Sequence, residues 1–206
     1  CEFKLKDDIV IFQLGKYDKN VELIIDPTLI FATYSGSVTD NFGMTATYGY
    51  DGTAFSGGTI YGNSYPTPDP LAYDVTSNFT VANVFNSVTT DVFVSKYNQD
   101  GTAIIWTTFF GGGYNTIGTE TIHSLICDQQ NNLYAFGATS STDIPIQNGF
   151  QATHGGGSAL YVSYNGANFD NAGIDIYVAK FSADGHQLLA STYVGGNEND
   201  GVNYNI

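Results

Sequence analysis

The sequence predicts an all-β fold made of repeated four-stranded antiparallel units, and three observations carry that prediction. Residues 91–112 read DVFVSKYNQDGTAIIWTTFFGG and residues 175–196 read DIYVAKFSADGHQLLASTYVGG, an ungapped match at an offset of 84. Asp91/Asp175, Val94/Val178, Lys96/Lys180, Asp100/Asp184, Gly101/Gly185, Thr108/Thr192, Gly111/Gly195 and Gly112/Gly196 are identical pairs. Short stretches of alternating apolar residues, rich in β-branched and aromatic types, are separated by Gly, Asn, Asp and Ser, which is the pattern of strands and turns rather than helices. A second register, 80 residues apart, sets Met44, Gly57 and Thr59 against Ser124, Gly137 and Thr139. A fixed period marks one supersecondary unit that must stack on its neighbours to bury its apolar face.

Taken in order, the candidate strands are 9–14, 21–25, 29–35, 43–48, 53–59, 91–97, 103–109, 122–127, 133–139, 175–181 and 188–194, with a last start at 202–206. Asn98–Gly101 and Ser182–Gly185 have the x-x-Asp-Gly form of a tight hairpin turn. Residues 50–52 and 128–132 turn the chain before the strands that follow. The long connections, 61–90 and 140–174, are rich in Ser, Thr, Asn, Gly and Pro, and loops of that length are commonly functional. Each unit of about 80 residues thus carries four short strands. Four-stranded sheets repeated radially describe a β-propeller, whose blades normally run to ~40–50 residues; here one long connection per blade supplies the excess. By analogy with known β-propellers, the expected order from the inside out is 122–127, 133–139, 175–181 and 188–194, and in the preceding blade 43–48, 53–59, 91–97 and 103–109. Residues 29–35 are expected as the outer strand of an earlier blade. Two full blades with partial flanking blades form an incomplete ring with open edges, which calls for the rest of a larger chain or for other subunits.

The chain has 206 residues, enough for one sizeable domain, and a formal net charge of -14. It has no Arg, and its six Lys are Lys4, Lys6, Lys16, Lys19, Lys96 and Lys180. Binding to phosphate backbones needs several Lys or Arg, so nucleic acid is set aside, and anionic membrane surfaces are disfavoured for the same reason. No stretch approaches the ~20 apolar residues of a membrane span. The two cysteines, Cys1 and Cys127, make no disulfide scaffold. Cys1 is either a lipid-modified N-terminus or simply the first residue, and Cys127 reads as a buried small hydrophobe.

The pieces Asp175–Gly185, Leu188–Gly196 and Asn132–Pro145 together resemble the bacterial β-propeller repeat known as SBBP, and residues 17–37 resemble the β-rich lead-in that precedes such propellers. The resemblance divides the chain into an N-terminal β-rich segment, 1–28, and partial propeller blades, 29–206. It implies a secreted protein or one on the outer cell surface, of a kind often exported by type IX secretion in gliding bacteria. The C-terminal sorting domain of that export route is not visible in this sequence.

In the expected strand order, the connections that carry the acidic positions Asp40, Glu120 and Asp200, equivalent at the 80-residue register, open on the same face as the two long insertions. That face is the candidate ligand-binding surface, with Tyr65, Tyr73, Tyr161 and Tyr164 supplying aromatic area for a glycan or protein. Asp200 and Glu198, in NENDG, form a weak Ca²⁺ candidate that lacks the rest of a calcium loop; no other cofactor is expected. Lys96 with Asp91 or Asp100, and Lys180 with Asp175 or Asp184, read as structural pairs recurring once per repeat. His123, His154 and His186 lack metal-site spacing, and no nucleophile elbow or phosphate loop occurs. No catalytic constellation is singled out. The expected function is therefore a non-enzymatic module for adhesion, binding or scaffolding. The alternatives are the propeller of a carbohydrate-active hydrolase or lyase, whose carboxylate pair the 20 acids leave open, and a structural subunit of a surface assembly.

Overall fold

The computed structural model describes residues 2–6, 9–23, 29, 31–62, 64–77, 89–113, 118–158, 162–164, 167–169 and 173–201. The chain divides into two compact units, residues 1–30 and 31–206. In the first, β1 (Glu2–Lys6) pairs antiparallel with β2 (Ile9–Gln13). The strand expected at 9–14 is β2; its partner β1 was not anticipated. Residues 21–23 form no strand, and the remainder of the one expected at 21–25 lies outside the described residues.

The second unit holds two four-stranded antiparallel sheets, and no helix occurs among the described residues. The first sheet runs β3 (Asn41–Tyr48), β4 (Ala54–Ile60), β5 (Asp91–Tyr97), β6 (Ile104–Phe110). The second runs β7 (Glu120–Cys127), β8 (Leu133–Thr139), then a short hairpin in the long insertion, β9 (Val162–Tyr164) with β10 (Ala167–Phe169), then β11 (Asp175–Phe181) and β12 (Leu188–Val194); its sheet order is β7-β8-β11-β12. Strand order within each sheet is the one expected by analogy with propellers. The β9–β10 hairpin was not expected.

The hairpins follow from their turn residues. Gly101 and Gly185 sit at φ +67° and +76°, and their N–H groups donate to the carbonyls of Asn98 (3.1 Å) and Ser182 (2.8 Å). Each turn is followed by a one-residue register shift, at Lys96/Tyr97 and Lys180/Phe181. A left-handed glycine closing a short turn with a bulge is a common hairpin solution, because it matches the twist of the strands.

Two expectations need correction. Residues 29 and 31–37 form no strand: a strand requires a ladder partner, and no described strand pairs with them. Phe31 instead packs over Gly101. The strand at 202–206 lies outside the described residues. The 80-residue register is also off by one between the first two strands of each sheet. Tyr48 pairs with Ala54 where Cys127 pairs with Leu133, and Asn41 pairs with Ile60 where Glu120 pairs with Thr139, an offset of 79. Gly58, not Gly57, is therefore the partner of Gly137. Both lie across from a bulge, at Gly43/Thr45 and Ile122/Ser124, and a Cβ at either would overlap a main-chain carbonyl, that of Phe42 or Thr121. The Gly57–Gly58 doublet hides the slip in the sequence, and a one-residue slip exchanges the two faces of a strand.

The sheets pack face to face, with β7 lying against β3, β4 and β5. The first sheet contributes Phe55, Val92, Val94, Trp106 and Phe110 to the shared core; the second contributes Ile122, Leu125, Leu133, Tyr177, Phe181 and Tyr193. Phe110 sits 5.2 Å from Tyr177 and 6.0 Å from Phe181, centroid to centroid. The outer edges are covered by the long connections. Phe109 N–H donates to the Asp74 carbonyl (2.9 Å) and Tyr193 N–H to the Gln151 carbonyl (3.1 Å), while the equivalent Thr108 and Thr192 hydroxyls accept from Asp74 N–H (3.0 Å) and Gln151 N–H (2.8 Å). An open edge invites pairing with other chains, and the same device blunts both.

Trp106 lies over Gly185, so a Cβ there would come within 2.5 Å of the indole. Gly185→Ala is expected to destabilise the fold by about 1–3 kcal/mol, through both this overlap and the positive φ. Gly43→Ala, where nothing lies within 4 Å, is expected to stay within about 0.5 kcal/mol of the parent. Urea unfolding of the two variants checks both values.

Candidate functional site

The second strand of each sheet ends beside the first residue of the third, so the long connections and the acidic positions fall at one end of each sheet. There the two sheets are stitched by a parallel bridge between Thr90 and Thr119. Thr90 N–H donates to the Gly118 carbonyl (3.2 Å) and Glu120 N–H to the Thr90 carbonyl (3.3 Å). The Thr90 hydroxyl donates back to the Glu120 carbonyl at 2.9 Å.

Asp91 and Glu120 are the acids of this seam, 2% and 1% exposed. They converge on Gly111, where a Cβ would overlap Asp91 Oδ1 and approach Glu120 Oε2 to 2.9 Å. The Thr139 hydroxyl donates to Glu120 Oε1 at 2.7 Å, and Gly112 N–H donates to Oε2 at 3.4 Å. Burial, and then the charge of Asp91, push the Glu120 carboxyl up to about 8. Taking a carboxylate out of water disfavours its charged form, and a like charge beside it adds to the effect. Tyr177, buried against the same acid, is raised well above the ordinary phenol value, first by burial and then by Glu120.

The second repeat builds the same arrangement. Asp200 N–H donates to the Ile174 carbonyl (2.6 Å), as Glu120 does to Thr90, and Gly196 N–H donates to Asp200 Oδ2 (2.7 Å), as Gly112 does to Glu120. Gly195 leaves room for Asp175 as Gly111 does for Asp91. The expected equivalence of Glu120 and Asp200 holds in these bonds. Asp40 does not belong to the set: Asn41 takes the register position of Glu120, while Asp40 is exposed and its carbonyl accepts from Tyr61 N–H (3.1 Å). Asp143 was missed by sequence reasoning. It lies against the glycine run, since a Cβ at Gly112 would come within 2.6 Å of its Oδ1. Its signal in the sequence is its place in the Ser-x-Asp-x-Pro end of the stretch Asn132–Pro145, which carried the resemblance but was not read as part of the site.

The lysines are structural, but with other partners than expected. Lys96 Nζ lies 3.2 Å from Asp51 and Lys180 Nζ 3.1 Å from Asp128. Asp91 and Asp175 each stand five residues from the lysine, on the opposite face of the strand and roughly 17 Å along it. Asp100 and Asp184 instead cap their own turns: Asp100 accepts from Thr102 N–H (3.2 Å) and Asp184 from His186 N–H (3.1 Å). Lys96 also donates to the Ala183 carbonyl of the second sheet's hairpin at 3.3 Å and sits over the Phe55 ring. Burial works against the charge on Asp51, but hydrogen bonds from Thr53 and Lys96 hold its carboxyl below the usual range.

The aromatic binding face is also corrected. Tyr65 is 3% exposed and stacks on Phe93 at 4.1 Å between centroids, with its hydroxyl bonded to Ser35. Tyr73 is half-buried against Phe181. Both belong to the packing of the edge-covering connections. Tyr161 and the Tyr164 side chain lie outside the described residues. Glu198 is exposed and Asp200 is held by Gly196; among the described residues no group of three or more His, Cys, Asp or Glu is placed to hold a metal ion. No described helix is long and apolar enough to cross a membrane. Compared with known proteins, the chain matches no family model and no curated sequence.

Between pH 4.5 and about 8, position 120 ionises in the unfolded chain but stays protonated in the fold. The native state then binds more protons than the unfolded one, so stability falls as pH rises through this window and levels off above it. Glu120→Gln is expected to flatten that slope, as read from urea unfolding between pH 4.5 and 9. Lys96→Met is expected to cost about 0.5–1.5 kcal/mol, because it removes one donor each from Asp51 and the Ala183 carbonyl and the tie they make between the sheets. Lys180→Met, which removes a more exposed lysine (25% against 9%), is expected to cost less in the same assay.

Proposed function

We propose that this chain is a non-enzymatic scaffold of the β-propeller type, a module of a secreted or surface-displayed bacterial protein that acts through adhesion or assembly. One observation supports it above others: the residues most suggestive of chemistry are used twice, in the same structural roles. The acids at 91/175 and 120/200 close seams beside a glycine pair, and the lysines at 96/180 each pair with an acid from the preceding hairpin. A catalytic group serves one site and must reach substrate, whereas these recur with the repeat and the Asp91–Glu120 pair is sealed.

In this reading the sheets are successive blades, and the partners are the rest of a larger chain or other subunits, together with a glycan or protein at the cell surface. The exposed ligand face consists of the loop end that carries Asp40 and Glu198, with the buried Tyr65 acting as an internal support. The competing reading is a carbohydrate-active enzyme that uses Asp91 and Glu120. A panel of nitrophenyl glycosides and soluble polysaccharides distinguishes the two. The rate of hydrolysis or elimination is expected to equal that of buffer. Turnover that disappears in Glu120→Gln, while the variant stays folded, would establish the enzyme and sink the scaffold.

A further inference from the structure

Among the described residues, side chains on both faces of the first sheet are buried, whereas on one face of the second they are exposed. By register, Phe55, Gly57, Val94 and Lys96 in the first sheet correspond to Tyr134, Phe136, Val178 and Lys180 in the second. In the first sheet this face lies under the second: Phe55 is 1% exposed and Val94 0%. In the second sheet Ile126, Tyr134 and Phe136 are 64%, 37% and 39% exposed and border a cleft of about 500 Å³ with Ser124, Ala135 and Val178. A contiguous apolar surface of this kind marks a contact site.

Resting on the repeat-scaffold reading, we propose that this face is covered by the polypeptide that follows Gly201, entering as the first strand of a third sheet of the same repeat. Two observations select this occupant. The chain is already directed there: Gly201 packs against Ile176, on the same face of β11 as Val178. Asp200 stands where Glu120 stands at the head of β7, and Ile122, two residues after Glu120, packs on Gly57 in the existing interface; the proposed strand would begin in that register. A second copy of the chain does not fit, because the face of its first sheet that would have to dock, with Phe93 and Ser95, is itself buried.

The proposal also assigns a role to Lys180. Lys96 pairs with Asp51 and donates to the main-chain carbonyl of Ala183 in the Asp-Gly hairpin of the next sheet. Lys180 makes the equivalent pair with Asp128, and its side chain is 25% exposed against 9% for Lys96. Its remaining donors are placed for the carbonyl of a third hairpin.

Hydroxyl-radical footprinting with lysine acetylation tests this on the 206-residue chain and on the polypeptide at its natural length. In the shorter form Tyr134, Phe136 and Lys180 are expected to label readily. In the natural-length form their labelling should be lost, down to the level of Phe55 and Lys96, and should return when that polypeptide is cut back to Gly201. Equal labelling in the two forms overturns the proposal, as does protection that survives the truncation. Protection of the 206-residue chain that grows with concentration assigns the face to a second copy and overturns it too. Lys180→Met should lower the melting temperature of the natural-length form by more than that of the 206-residue chain, where only the pair with Asp128 is lost. Ready labelling of Phe55 and Lys96 in either form would instead strike the stacked-sheet reading on which the proposal rests.

Discussion

The burial of one face of the first sheet by the second is the interaction on which residues 31–206 depend. A four-stranded sheet carries apolar residues on both faces here: Phe55, Val94 and Trp106 on one, Phe93 and Phe109 on the other. A sheet of this kind is not stable in water alone, because burial of apolar area is the dominant favourable term and half of it would be lost. The second sheet supplies the missing cover with Ile122, Leu125, Leu133 and Tyr177. Once the faces meet, the other features follow. The hairpin at Ser182–Gly185 reaches under Trp106 and Lys96, and the backbone at Thr90 and Thr119 comes close enough to bridge.

Polar groups at this interface are held by the same economy. Asp91, Glu120, Thr90, Thr119 and Thr139 are all buried, and buried polar groups are costly unless hydrogen-bonded. The threonines and the glycine N–H groups satisfy much of that demand, and Glu120 meets the rest by keeping its proton. The glycines at 111 and 195 are there for space, since any Cβ would overlap a carboxylate. The acid-glycine combination is therefore a joint between sheets, which accounts for its recurrence with the period of the fold.

Much of the architecture was legible in the chain. Alternation in DVFVSKY and DIYVAKF, with an Asp-Gly turn after each, is local information, and it placed β5, β6, β11 and β12; their order was expected by analogy with propellers. The candidate site was less legible. The acids at 120 and 200 were found by the repeat, but Asp40 was a false member, because two adjacent glycines allowed the alignment to slip by one. Tyr65 and Tyr73 read as binding residues, since Tyr in a polar loop has no local sign of burial. Asp51 and Asp128 were overlooked as lysine partners because they lie in the turns of the preceding hairpins rather than near in sequence.

By itself, the sequence determined the all-β class, the strands of the two four-stranded sheets, their Asp-Gly turns and the recurrence of the acids at 120 and 200, all of which follow from periodicity and from residues with restricted or permissive backbones. Only the tertiary structure decided which acid meets which lysine, which tyrosines are buried, which residue of a glycine pair faces the bulge, and which sheet face remains open. Those outcomes depend on contacts between residues 40 to 90 positions apart, such as Lys96 with Asp51 and Ala183. In a sheet with period two, each such contact is reversed by a single step of register, and that step is set by packing between sheets rather than by any local run of residues.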